Sequence, residues 1–179
     1  AGEYEQGLAI LNQAVWEADE HGLDHIRLAL YRQLVFLLGY HLSRFDEAEW
    51  FANAAQRLGQ RLEASAADQA RLLLNQAAIA DRRGKYDDAL ELGQAAIAMR
   101  AQAGLPRDSR HALALGYLGN ALYNLGRYEE ALGPYREAKD LTEARLGTVH
   151  PSTAGSYENI GNALRGAGVP ASGEAGAAL

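Results

Sequence analysis

No cysteine occurs in the 179 residues, which excludes disulfides, thiolate nucleophiles and zinc–thiolate sites. There is no run of about 18 apolar residues and no charged-then-apolar leader, so neither a membrane span nor a signal peptide is visible, and a cytoplasmic address is expected. Only four prolines are present, at 106, 134, 151 and 170, leaving long stretches free for helix. Pro134 falls in the first turns of a helix opening near Tyr128, where a missing N–H costs less than it would deeper in. Concentrated positive charge is lacking too. The net charge is −6 and the basic residues are scattered, so no phosphate-backbone footprint and no direct nucleic-acid partner is expected.

Catalytic signatures are equally missing. No Gly-rich phosphate loop, G-x-S-x-G or H-E-x-x-H occurs, so no enzyme, catalytic residue or cofactor is expected. His21 and His25 are four apart, but Gly22 and Asp24 break the helix between them, which argues against a metal pair. Asp87-Asp88 and Glu129-Glu130 sit at helix starts, where carboxylates complement the helix dipole. Aromatic residues make up 8% against 48% hydrophobic, so a core must be closed largely by small side chains.

What is there is a helical hairpin, read from Gly119 to Ala138. Leu115, Leu118, Gly119 and Leu122 share one helical face, and Ala131, Tyr135 and Ala138 share one face of a second helix. Gly126 between them supplies the left-handed residue that ends the first helix, while Gly119, Ala131 and Ala138 let two backbones approach. The pattern recurs. Turn positions Gly2, Ser43, Gly84, Gly126 and Gly168 are spaced by 41, 41, 42 and 42 residues. Two residues on come Tyr4, Phe45, Tyr86 and Tyr128, then Gly7, Ala48, Ala89 and Ala131, then Ala14, Ala55, Ala96 and Ala138.

The spacing L-x2-L-G-x2-L followed by A-x3-Y resembles the tetratricopeptide repeat, W-x2-L-G-x2-Y then A-x3-F. A period near 42, with Leu146-Gly147 and His150-Pro151 leading into the next repeat, resembles the longer variety of kinesin light chains and many bacterial regulators. The resemblance implies an all-α fold, a right-handed α-solenoid of antiparallel hairpins with about eight helices. Residues 1–22 read as the second helix of an incomplete repeat, 24–64, 68–104 and 108–147 as full repeats, and 151–166 as the first helix of a last one. Asp24 and Asp68 are expected to cap their helices, and Asp108 or Ser109 the next. The first of these helices should run to Leu42, although Arg32, Phe36 and Gly39 depart from the pattern. The tail 167–179, rich in Gly and Ala, is expected to be disordered.

In resembling repeats the first helix of each pair lines a concave groove through positions 2, 5, 6, 9, 12 and 13. Counted from Ala29, Ala70, Ala112 and Ala154, these give a candidate surface of Leu34, Leu37, Tyr40, His41, Arg71, Asn75, Arg82, Tyr117, Asn120, Tyr123, Asn124, Asn159 and Asn162. It grades from apolar near Leu34 and Leu37 to amide-rich at the asparagines. Asn is a poor helix-interior residue, so several on one face need a reason, and a carboxamide offers the donor and acceptor an extended peptide backbone uses. The competing readings are solvated surface residues, or Asn120 and Asn162 bridging neighbouring repeats. Arg71 and Arg82 could supply cations for a carboxylate clamp, although the Lys and Asn spacing of such clamps is absent from the first repeat.

The expected function is a protein–protein interaction module holding a peptide or protein segment in that groove, within a larger bacterial signalling, regulatory or scaffold protein. The alternative is a structural spacer that forms a weak homodimer through uncovered solenoid ends, because Leu8, Ile10, Leu11 and Val15 cannot all be buried by one neighbour.

Overall fold

A computed structural model describes residues 2–168; the expectation for the tail from residue 169 on lies outside them. Among the described residues eight α-helices follow one another: α1 (Gly2–Glu20), α2 (Asp24–Phe36), α3 (Phe45–Arg61), α4 (Ala66–Arg82), α5 (Tyr86–Gln102), α6 (Ser109–Asn124), α7 (Tyr128–Leu146) and α8 (Pro151–Gly166). No strand occurs among the described residues. Helices α2–α3, α4–α5 and α6–α7 pack as hairpins, with α1 against α2 and α8 against α7.

Small residues bring the helix backbones together. Ala89, Ala96, Ala131 and Ala138 are all buried, with Ala96 and Ala131 fully so. A Cβ placed on Gly119 would lie 2.5 Å from the Tyr135 ring, so the ring occupies the space that any larger residue there would need. The turns are left-handed: φ is +74° at Gly84 and +75° at Gly126, and Ser43 adopts the same conformation at +55° despite its Cβ.

Two caps differ from expectation. Leu23 precedes α2, and Asp24 is already inside the helix, too far in to reach the free N–H groups; its carboxylate binds Arg27 and Arg61 instead, each at 2.6 Å. At α4 the cap is Ser65, whose hydroxyl oxygen accepts from the Asp68 N–H at 3.2 Å. Asp68 sits three residues further on and pairs with Arg32 at 2.7 Å. Asp108 does cap α6, accepting from the N–H groups of Arg110 (2.9 Å) and His111 (3.2 Å). Burial works against the charged form, yet these N–H groups and the Arg100 guanidinium hold its carboxyl below the usual range.

Helix α2 also ends differently. After Phe36 the chain continues for Leu37–His41 as a π-helical turn, with the Leu42 N–H donating to the Leu37 carbonyl at 3.1 Å. A π turn absorbs one extra residue. Upstream of it the register therefore shifts by one: Tyr31 stands 42 residues before Leu73, and Val35 stands 42 before Ala77. Val35 is fully buried, as the small position requires, and Tyr31 packs on Phe51 with ring centroids 5.5 Å apart. This explains the departures at Arg32 and Phe36, which belong to the surface.

The uncovered side of α1 is visible. Leu8 is buried and Leu11 and Val15 are half-buried, but Ile10 is 67% and Trp16 77% exposed. The expected self-association rests on this face, and sedimentation at rising concentration measures it; a strict monomer throughout would count against it.

Candidate functional site

Helix α4 packs beside both α2 and α6, and α8 joins α4 and α6 around a pocket, so the first helices of the hairpins share one face, the one expected to be concave. A cavity of about 650 Å³ opens on it between α1, α2, α4 and α6. Its walls are apolar: Ile10 and Leu11 from α1, Phe36 and Leu37 from the end of α2, Leu74 from α4 and Leu113 from α6. The Tyr4 ring stacks on His41 at 4.3 Å and closes the α1 end.

Four arginines line the same space, and their pairing sorts them. Arg100 is buried, with its guanidinium held by the Asp108 carboxylate and the Pro106 carbonyl at 2.8 Å each, so its charge is neutralised within the fold. Arg32 is committed to Asp68. Arg71 and Arg110 form no ion pair among the described residues, and both line the cavity. Two exposed cations thus stand beside an apolar floor, and Arg110 also helps to hold the Asp108 carboxyl low.

Further along the concave face lies a smaller, polar pocket of about 130 Å³, lined by Asp81 from α4, Asn120, Tyr123 and Asn124 from α6, Tyr135 from α7, and Asn159 and Asn162 from α8. The Tyr135 hydroxyl donates to the Asn120 carbonyl oxygen at 2.8 Å, leaving the Asn120 amide without a partner among the described residues. Burial, then Asp81 and Tyr123, push the Tyr135 phenol well above its ordinary value. Burial, then Tyr40 and Asp81, push Tyr117 up to about 12. Both phenols are therefore neutral hydrogen-bonding groups.

The candidate surface is thus split. Leu37, His41, Arg71 and Asn75 line the apolar cavity, and Asn120, Tyr123, Asn124, Asn159 and Asn162 line the polar pocket. Leu34 does not belong to the surface: it is fully buried in the core of α1, α2 and α3, because the π turn displaces the count by one. Tyr40 stacks on Phe36 at 5.0 Å, and the Arg82 guanidinium lies over its ring, also at 5.0 Å, so Arg82 is turned away from the cavity. Tyr117 is half-buried against the Leu74 cluster. Bridging between repeats falls to other asparagines than expected: the Asn75 amide donates to the Arg32 carbonyl at 3.0 Å, and the Asn124 amide to Asp81 at 2.7 Å. Arg32 and Phe36 were missed through the register slip, and Arg110 because it precedes the counted positions. A count made back from Ala70 in steps of 42 places the first repeat at Leu28 and recovers Arg32 and Phe36.

Residues 111–152 match the family model of the tetratricopeptide repeat. The architecture is similar to that of BtubC (BKLC) from P. vanneervenii, with a TM-score of 0.77 at 24% identity over 90% of this chain and 66% of that one. The fold is that of a tetratricopeptide-repeat (TPR) solenoid. Over 80 residues, 45% of its length, the chain is also 32% identical to Protein KINESIN LIGHT CHAIN-RELATED 3 of Arabidopsis thaliana, of which it spans 12%. The TPR hairpins wind as a right-handed α-solenoid, and a TPR solenoid is in general a protein–protein interaction module. No helix among the described residues is long and apolar enough to cross a membrane.

Proposed function

We propose that this TPR domain is a cytoplasmic, non-catalytic module that binds a protein segment on its concave face, as the recognition part of a larger signalling, regulatory or scaffold protein. The segment carries a bulky apolar side chain flanked by carboxylates. The observation that carries the reading is the pair of exposed arginines Arg71 and Arg110, neither in an ion pair among the described residues, at an apolar cavity of about 650 Å³. An apolar side chain entering such a cavity contributes on the order of 1.5–3 kcal/mol, and the cations select its neighbours. The segment lies extended: the amides of Asn120 and Asn159, without a partner among the described residues, suit a peptide backbone, whereas a helical ligand has its backbone groups already bonded.

The test is fluorescence anisotropy with short peptides that each hold one bulky apolar residue between aspartates, against the same peptides with lysine for aspartate. The acidic set should bind and weaken as salt rises, and the basic set should not. Equal binding by both sets would sink the reading.

A further inference from the structure

The polar pocket holds a charge that the fold leaves unbalanced. Asp81 is half-buried in α4 and accepts one hydrogen bond, from the Asn124 amide at 2.7 Å, but forms no ion pair among the described residues. The cations on either side are turned elsewhere. Arg82, its neighbour in sequence, lies over the Tyr40 ring with a contact to the Ser43 hydroxyl. Arg165 of α8 is held by the Asn162 carbonyl oxygen. The remaining walls are amides and phenols. A partly desolvated carboxylate without a counter-ion is unfavourable, and a cation arriving in the pocket relieves that cost.

We propose that this pocket is a second subsite of the concave face, which takes a lysine or arginine side chain from the same segment that fills the apolar cavity. The inference rests on the groove reading above and adds to it the order and spacing of charge in the ligand. The pocket's 130 Å³ is about the space of four waters, enough for a cationic head group with its last methylenes and too small for a folded element. Amide oxygens around it supply further acceptors, and an ammonium or guanidinium brings only donors.

The spacing follows from α4, which contributes to both sites. Arg71 lines the apolar cavity and Asp81 the polar pocket, ten residues apart on one helix, or about 15 Å at 1.5 Å per residue. An extended chain covers that distance in about four to five residues. The ligand therefore carries carboxylates at one point and a cation four or five residues away. The face reads charge in sequence: positive at Arg71 and Arg110, negative at Asp81.

Titration calorimetry tests this with the acidic, apolar parent peptide and versions of it extended by a four- or five-residue spacer ending in Lys, Ala or Glu, on either side. On the wild-type chain, Lys should tighten binding about three- to tenfold over Ala on one side only, and Glu should weaken it. In Asp81→Asn, whose melting temperature is checked alongside, the Lys-over-Ala gain should vanish. A gain that persists in Asp81→Asn, or none in the wild type at either spacing, overturns the second subsite while leaving the cavity reading standing. Failure of the parent peptide itself on the wild type overturns the cavity reading, and this one with it.

Discussion

Reversing both exposed cations, Arg71→Glu with Arg110→Glu, is expected to weaken an acidic, apolar peptide by about 2–4 kcal/mol, roughly 30- to 700-fold at low salt. Each side chain is exposed, so one such pair contributes modestly in water, and the size of the effect comes from replacing attraction by repulsion at two points beside a low-dielectric wall. The loss should shrink as ionic strength rises, since the Debye length falls to about 8 Å at 0.15 M. Stability should change only modestly, because neither guanidinium forms an ion pair among the described residues and Arg110 acts on the Asp108 carboxylate only at longer range. The same reversal at Arg100 would instead unfold the end of α5, whose guanidinium ties Pro106 and Asp108 together. Anisotropy and thermal melts on the double variant check both halves. Undiminished affinity would remove the cations from the site.

Ala131→Leu is expected to cost about 1–3 kcal/mol, or a fall of roughly 2–12 °C in melting temperature at 2–4 °C per kcal/mol. Ala131 is fully buried where α7 crosses α6, in the cluster holding Ala121, Leu122 and Tyr135. Three added heavy atoms have no space there. Its neighbour Glu130 is exposed and, among the described residues, pairs with Arg127 alone, at 2.6 Å, one turn away, so Glu130→Leu should shift the melting temperature little. Circular dichroism melts of the two variants decide the matter. Equal effects would contradict the repeat register on which the concave face is defined.

How much of this was legible in the sequence follows from where the signal is periodic. The recurrence of turn, aromatic and small positions at intervals of 41 or 42 residues locates the hairpins, since each position has one steric requirement that few residues meet. Ala89, Ala96, Ala131 and Ala138 are at the crossings for that reason. Helix starts were less legible. Ser65 and Asp68 both offer an oxygen near the same free N–H groups, and only the backbone conformation assigns the cap to Ser65. The π turn at Leu37–His41 left a trace without a location: Arg32 at an aromatic position and Phe36 at a small one show that the register slips, but not where the extra residue is absorbed.

The groove was legible in part for the same reason. In the second to fourth repeats Arg71, Asn75, Asn120, Tyr123, Asn124, Asn159 and Asn162 line the two pockets, while Arg82 and Tyr117 do not. In the first repeat the slip placed Leu34 on the surface and hid Arg32 and Phe36. The α1 wall, with Ile10 and Leu11, escaped because a second helix of a hairpin carries no counted groove position. Nor does spacing say which arginines are free. Arg100 and Arg71 are both arginines within helices, and only the partners of Arg100, six and eight residues away across a loop, tell them apart.

The central claim is that recognition happens in the apolar cavity on the concave face. Amide chemical-shift mapping during titration with the acidic, apolar peptide tests it most directly. The account predicts shifts concentrated at Leu11, Phe36, Leu37, Arg71, Leu74 and Leu113, with the convex helices α3, α5 and α7 quiet. Shifts centred on those convex helices, with the cavity residues unmoved, would contradict it.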